Sequence, residues 1–114
     1  MTEQPPIPAE VHGVKELIAD GWIAQVKGQH AEAQANFQKA IDSDPNSVEA
    51  YYGLAVTAKS LGDFAAALKA FQQSEMLIKN HLMQDDPARA SILRQLVRVQ
   101  IEILKQQLGS GEGG

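Results

Sequence analysis

The chain repeats itself at an offset of 34 residues, and this period constrains its fold more than any other feature. Ala24 pairs with Ala58, Gly28 with Gly62, Ala31 with Ala65, Ala33 with Ala67, Phe37 with Phe71 and Gln38 with Gln72. Matches among abundant alanines arise by chance, but a glycine pair and a phenylalanine pair at one offset are much harder to obtain that way. A short unit that recurs must bury its apolar face against a neighbouring copy. Stacked, similar elements are therefore expected rather than a chain wound about one centre.

The local pattern is helical throughout. The opening MTEQPPIP holds three of the five prolines and reads as an extended arm over residues 1–8, because proline lacks the N–H that a helix ladder needs. From about 9 to 27, Val11, Val14, Leu17, Ile18, Gly21, Trp22 and Val26 recur at three- and four-residue steps, the spacing of an amphipathic helix. Gly28 interrupts it. A second helix is expected over about 30–43, with Ala33, Phe37, Ala40 and Ile41 on one face and Asp44-Pro45 as its stop. Asn46 or Ser47 can cap a third, which carries Tyr51, Leu54, Ala55 and Ala58 as far as Gly62. Asp63 starts a fourth, bearing Phe64, Ala67, Leu68, Phe71, Leu77 and Ile78, and with no proline to stop it this helix runs to about His81. The stretch NHLMQDDP is the next break. Pro87 suits a first helical turn, with Asp85 and Asp86 beside its positive end, so a fifth helix is expected over about 87–108. One domain is thus expected over 9–108, followed by a disordered Gly-rich tail at 109–114.

A helix–turn–helix unit of this period resembles the tetratricopeptide repeat, whose pattern is a large residue, Leu, Gly and Tyr on the first helix, then Ala, Phe, Ala and Pro on and after the second. A first repeat over 14–47 has Leu17 in the large slot, Gly21 in the small one and Ala24 in the tyrosine slot, and Ala33, Phe37, Ala40 and Pro45 match the rest. A second over 48–81 has Tyr51, Leu54, Ala55, Ala58, Ala67, Phe71 and Ser74 in the same slots. Asp20 departs from the pattern's Leu, and Lys79 from its Pro, which suggests that the fourth helix overruns its usual end. The resemblance covers about 68 of 114 residues. It implies an all-α, right-handed solenoid of two helix–turn–helix repeats closed by a long C-terminal capping helix. Small residues then set the distance at each helix crossing, and Phe37 and Phe71 fill the remaining space.

The function it implies is protein–protein interaction, and the composition agrees by exclusion. Ten Lys and Arg against fourteen Asp and Glu, a net charge of -4, disfavour nucleic acid and a polybasic membrane anchor. The absence of cysteine removes disulfides, iron–sulfur clusters, thiolate zinc sites and thiol nucleophiles. No stretch is apolar enough to span a membrane and the start is unlike a signal peptide, so a cytoplasmic setting is expected. His12, His30 and His81 share no spacing, the His12/Glu16 pair reads as a surface accident, and Asp85-Asp86 beside His81 reads as helix capping. No catalytic residue, cofactor or metal is expected.

In such repeats the first helix of each pair lines a concave groove. The resemblance places Lys15, Ile18, Trp22 and Gln25 there from the first repeat, and Glu49, Tyr52, Val56 and Lys59 from the second. A contiguous Ile18, Trp22, Tyr52 and Val56 would suit a short apolar or amphipathic peptide. The open alternatives are that the proline-rich arm folds over this surface, or that Trp22 simply completes the core. The carboxylate clamp of one subclass should be absent, because Ile18, Trp22 and Gly53 occupy its slots. Arg94 and Arg98 could add a contact for an acidic group at one end, or be solvated surface residues. On the fifth helix, Leu93, Leu96, Val97 and Leu104 are expected to pack on the second repeat. Ile92, Val99 and Ile103 are left either for the overrunning fourth helix to cover or for a partner, including a second copy in a homodimer.

Overall fold

Two glycines at the repeat offset make the same turn twice. A computed structural model describes residues 13–113, with side chains over 13–109; the expected arm, the start of the first helix and His12 lie outside the described residues. Helices α1 (Gly13–Val26) and α2 (His30–Ser43) form one hairpin, and α3 (Val48–Ser60) and α4 (Phe64–Leu77) form the next. Gly28 closes α1 at φ +79°, and Gly62 closes α3 at φ +84°, the left-handed region that a Cβ disfavours. In the first turn the N–H of Gly28 donates to Gln25 O at 3.1 Å and that of Gln29 to Ala24 O at 2.8 Å. In the second, Gly62 donates to Lys59 O at 3.0 Å and Asp63 to Ala58 O at 2.9 Å. Both are Schellman turns, which satisfy the last carbonyls of the helix before the chain reverses. Of the two expected caps for α3, Ser47 serves: its hydroxyl accepts from the Ala50 N–H at 3.2 Å.

The small residues face the large ones as expected. Phe37 and Phe71 are fully buried, as are Ala33, Ala40, Ala55, Ala67 and Ser74. A Cβ built on Gly21 would stand 2.8 Å from the Phe37 ring, and one on Gly53 would fall still deeper into the same ring. Phe37 thus occupies space that glycines on both α1 and α3 leave free, so one side chain joins the crossing within the first hairpin to the crossing between hairpins. The two buried hydroxyls stay on their own helices: Thr57 Oγ1 donates to Gly53 O at 2.9 Å and Ser74 Oγ to Ala70 O at 3.1 Å.

The second half of the chain departs from expectation in three ways. The fourth helix does not end near His81 but passes through a π-helical turn at Ile78–Leu82 into a short α5 (Met83–Asp85), so the expected break narrows to Asp86. No proline interrupts it, and burial of Ile78, with Leu82 and Met83 packed on the main core, holds the overrun in place. Asp86 then caps α6 (Pro87–Gly113) by accepting from the Arg89 N–H at 3.2 Å. Second, α6 continues past Leu108 through the tail that we expect to be disordered. Once a helix is nucleated each further residue adds a hydrogen bond, and no proline stops it here. Third, α6 packs on α4 through Ala90, Val97, Ile101 and Leu104, with Leu93 partly buried, whereas Leu96 is exposed. The overrun leaves Ile92, Val99 and Ile103 exposed too. Among the described residues there is no strand.

Candidate peptide-binding groove

Trp22 and Tyr52 are half-buried and tied to the ring system of the core. Trp22 meets Phe37 edge-on, with centroids 5.1 Å apart and planes at 73°. It lies 6.3 Å from Tyr52, which meets Phe71 edge-on at 5.5 Å and 78°. Edge-to-face pairs at such distances add about 0.5–1.5 kcal/mol beyond the area they bury. The two rings that fill the helix crossings therefore hold the two that reach the surface, and the groove aromatics have fixed orientations. Above them is a pit of about 120 Å³ lined by Trp22, Val48, Glu49, Tyr52, Arg89 and Leu93. That is about four water volumes, room for one aliphatic side chain.

The pit adjoins a wider cleft of about 340 Å³ between the start of α1, the α2–α3 loop and the π turn, lined by Val14, Lys15, Ile18, Asp44, His81, Asp85 and others. Val48, Glu49 and Arg89 line both openings, so the two are continuous. Between them stands an ion pair, Arg89 Nη2 to Glu49 Oε1 at 2.6 Å, with side chains 47% and 55% exposed. At that exposure such a pair contributes at most about 1 kcal/mol. A ligand can displace it at small cost. Charges of both signs border the cleft: Lys15 and Arg89 against Asp44, Glu49 and Asp85. Among the described residues no three His, Asp or Glu side chains gather as metal ligands would.

Of the eight expected groove residues, the structure gathers Lys15, Ile18, Trp22, Glu49 and Tyr52 around these openings. The other three are engaged within the chain. Gln25 donates to Ser60 Oγ at 2.8 Å and its carbonyl stands 2.9 Å from His30 Nδ1, bridging α1, α2 and α3. Lys59 donates to Gln100 Oε1 at 2.8 Å, tying α3 to α6. Val56 packs against the main core cluster. The four-residue apolar patch is thus divided: Trp22 and Tyr52 floor the pit, Ile18 lies in the cleft, and Val56 belongs to the core side. Arg98 bonds Glu75 on α4 at 2.9 Å, so it braces two helices rather than the groove end, and Arg94 is exposed to solvent. The arginine that reaches the groove is Arg89, which the sequence reading passed over. Its place one helical turn before Leu93 was the available signal, but its pairing with Glu49 depends on how α6 is rotated.

Two hairpins with the same turn and the same crossing, closed at one end by a further helical layer, define a helical-repeat protein with an open inner face. Residues 19–80, just over half of the chain, match the tetratricopeptide repeat, and the chain belongs to that family. Repeats of this family generally mediate protein–protein interactions. Among curated proteins none matches the chain. No helix of the described residues is long and apolar enough to cross a membrane.

Proposed function

We propose that this chain is a non-catalytic interaction module that binds a short apolar or amphipathic peptide, seating one aliphatic side chain in the pit on Trp22 and Tyr52. The observation that carries this reading is the aromatic floor itself, rigidly backed by Phe37 and Phe71 and continuous with a cleft of mixed charge. Burying one aliphatic side chain there is worth roughly 1.5–3 kcal/mol. Association costs more than that, so the cleft must contribute, and its paired charges favour a peptide carrying both apolar and polar residues. Homo-oligomerisation through Ile92, Val99 and Ile103 is the alternative reading. It uses a different surface and neither requires nor excludes a ligand in the groove.

The test is selection of peptides from a random dodecamer library, followed by calorimetric titration of the selected sequences. Trp22→Ala with Tyr52→Ala should abolish binding, and Arg89→Glu, which alters the exposed rim without touching the core, should weaken it or change the selected sequences. Selected peptides that bind the Arg89→Glu and the folded double variant as tightly as the parent would falsify the proposal.

A further inference from the structure

The cleft and the pit lie in succession along α1, and residues 1–12 join the molecule at their rim. Val14, Lys15 and Ile18 line the cleft and Trp22 the pit, so a chain entering at Gly13 meets the cleft first and the pit about 13.5 Å further along the helix. Gly13 stands at φ +86°, in the left-handed region, so the chain path bends where it meets α1. Three apolar side chains other than proline and alanine precede it: Met1, Ile7 and Val11. At about 3.1 Å per residue, Val11 reaches about 6 Å and stops near the level of Ile18, whereas Met1 has more than twice the length needed. Ile7 reaches about 19 Å, enough to turn back and arrive at Trp22.

We propose that residues 5–8, Pro-Pro-Ile-Pro, return along the cleft and seat Ile7 in the pit, so that the chain carries its own ligand and an outside peptide must displace it. Chemistry and size both match. Proline-rich segments dock on aromatic-lined grooves because their backbone is largely pre-set and loses little freedom on binding, and the floor here is Trp22 and Tyr52. Pro5 and Pro6 fix their own φ, and Pro8 keeps Ile7 out of the α region. The pit of about 120 Å³ has room for one aliphatic side chain, and Ile7 is the one flanked by proline on both sides. Between Ile7 and Gly13 the only acidic residue is Glu10, and Lys15, which borders the cleft, makes no ion pair among the described residues. This seating rests on the proposed peptide site and narrows its ligands: outside peptides that present an aliphatic residue between prolines should compete best.

Trp22 is the chain's only tryptophan, so acrylamide quenching of its fluorescence reports directly on the pit. In the full chain, Ile7→Asp should raise the quenching constant about twofold and tighten a library-selected dodecamer about threefold or more, since a short tether holds the competing arm at an effective concentration in the mM range. Ile7→Val should stay close to the parent in both. Circular dichroism should be unchanged in either variant, because Ile7 precedes α1. Quenching and affinity that are both indifferent to Ile7→Asp overturn the proposal; if the dodecamer then binds both chains and is lost on Trp22→Ala with Tyr52→Ala, the groove itself remains a peptide site. Conversely, unmasking of Trp22 by Ile7→Asp in a chain that binds no dodecamer supports the arm and sinks the outside ligand. Protection of Trp22 should not depend on protein concentration. Protection that fades on dilution identifies the arm of a second copy and overturns the intrachain path.

Discussion

Gly53 shows what a single absent methyl group does in this molecule. Glycine inside a helix costs about 1 kcal/mol relative to alanine, so Gly53→Ala would ordinarily stabilise α3. Here a Cβ would enter the ring of Phe37 at 2.2 Å from its Cε1, and the fully buried ring has little room to retreat because the same atoms would stand only 2.8 Å from a Cβ on Gly21. We expect Gly53→Ala to lower stability by a net 1–3 kcal/mol or so, as overpacking does. Shrinking the ring with Phe37→Leu in the same chain should recover part of the loss. Urea unfolding of the two single variants and the double measures that coupling. The sequence reading placed Phe37 correctly because its partner Phe71 stands one repeat away. Gly53 has no such echo, since the residue one period earlier is Ala19. It registered only as a vacant clamp position, because what it accommodates comes from a different helix and not from its own periodicity.

At the scale of elements, the two hairpin turns are near copies with one difference that can be tested. Asp63 and Gln29 stand one period apart at the start of α4 and α2, with φ, ψ of -89°, 77° and -90°, 69°. Asp63 accepts from the Ala66 N–H at 3.1 Å, whereas Gln29 makes no side-chain cap. Gln29→Asp should supply the missing bond and raise stability by about 0.5–1 kcal/mol, and Ser47→Ala should remove about 1. Thermal melts of the two variants should move in opposite directions. These turns were legible because glycine at the turn and an acceptor beside it are local chemistry. The rotation of α6 was not, since its apolar residues occupy more than half of its circumference and several rotations would bury an adequate set. The observed one buries Ala90 and exposes Leu96, against expectation. It also decides that Arg89 and not Arg94 or Arg98 reaches the groove, a contact between residues forty positions apart.

The described residues form a drawn-out body, with extents of 67 × 34 × 20 Å and a Cα radius of gyration of 15.8 Å, where a compact chain of about this size has about 13 Å. A stack of layers gives that shape, and α6 extends it as the longest element. Each layer is stabilised mainly by its neighbour, and two repeats alone are marginal. Ala90, Val97, Ile101 and Leu104 belong to the same cluster as Phe71 and Ile78. Removing residues 87–114 should therefore abolish cooperative unfolding altogether. Removing only 109–114 should leave the melting temperature within a degree or two, since GSGEGG carries no apolar side chain and Leu104 is the last fully buried one among the described residues. Melts followed by circular dichroism distinguish the two outcomes. The period and the need for a closing layer were evident in the sequence. The division of the inner face into a pit and a cleft was not, because α6 and the π turn supply parts of both walls from outside the repeat.

The π turn at Ile78–Leu82 takes up one residue more than an α-helix would, without breaking the helix. Chain length and helical phase are uncoupled at that one place. Losing one of the exposed Lys79, Asn80 and His81 should close the bulge to an ordinary α turn and keep α5 and α6 in phase, whereas a residue lost from a regular turn of α4 shifts all that follows by about 100°. Deleting Asn80 should therefore leave Arg89 and Leu93 beside Trp22 and Tyr52, with the fluorescence of Trp22 unchanged. The pocket can thus tolerate a change in the count of residues behind it at this turn, where the same change inside α4 would dismantle it.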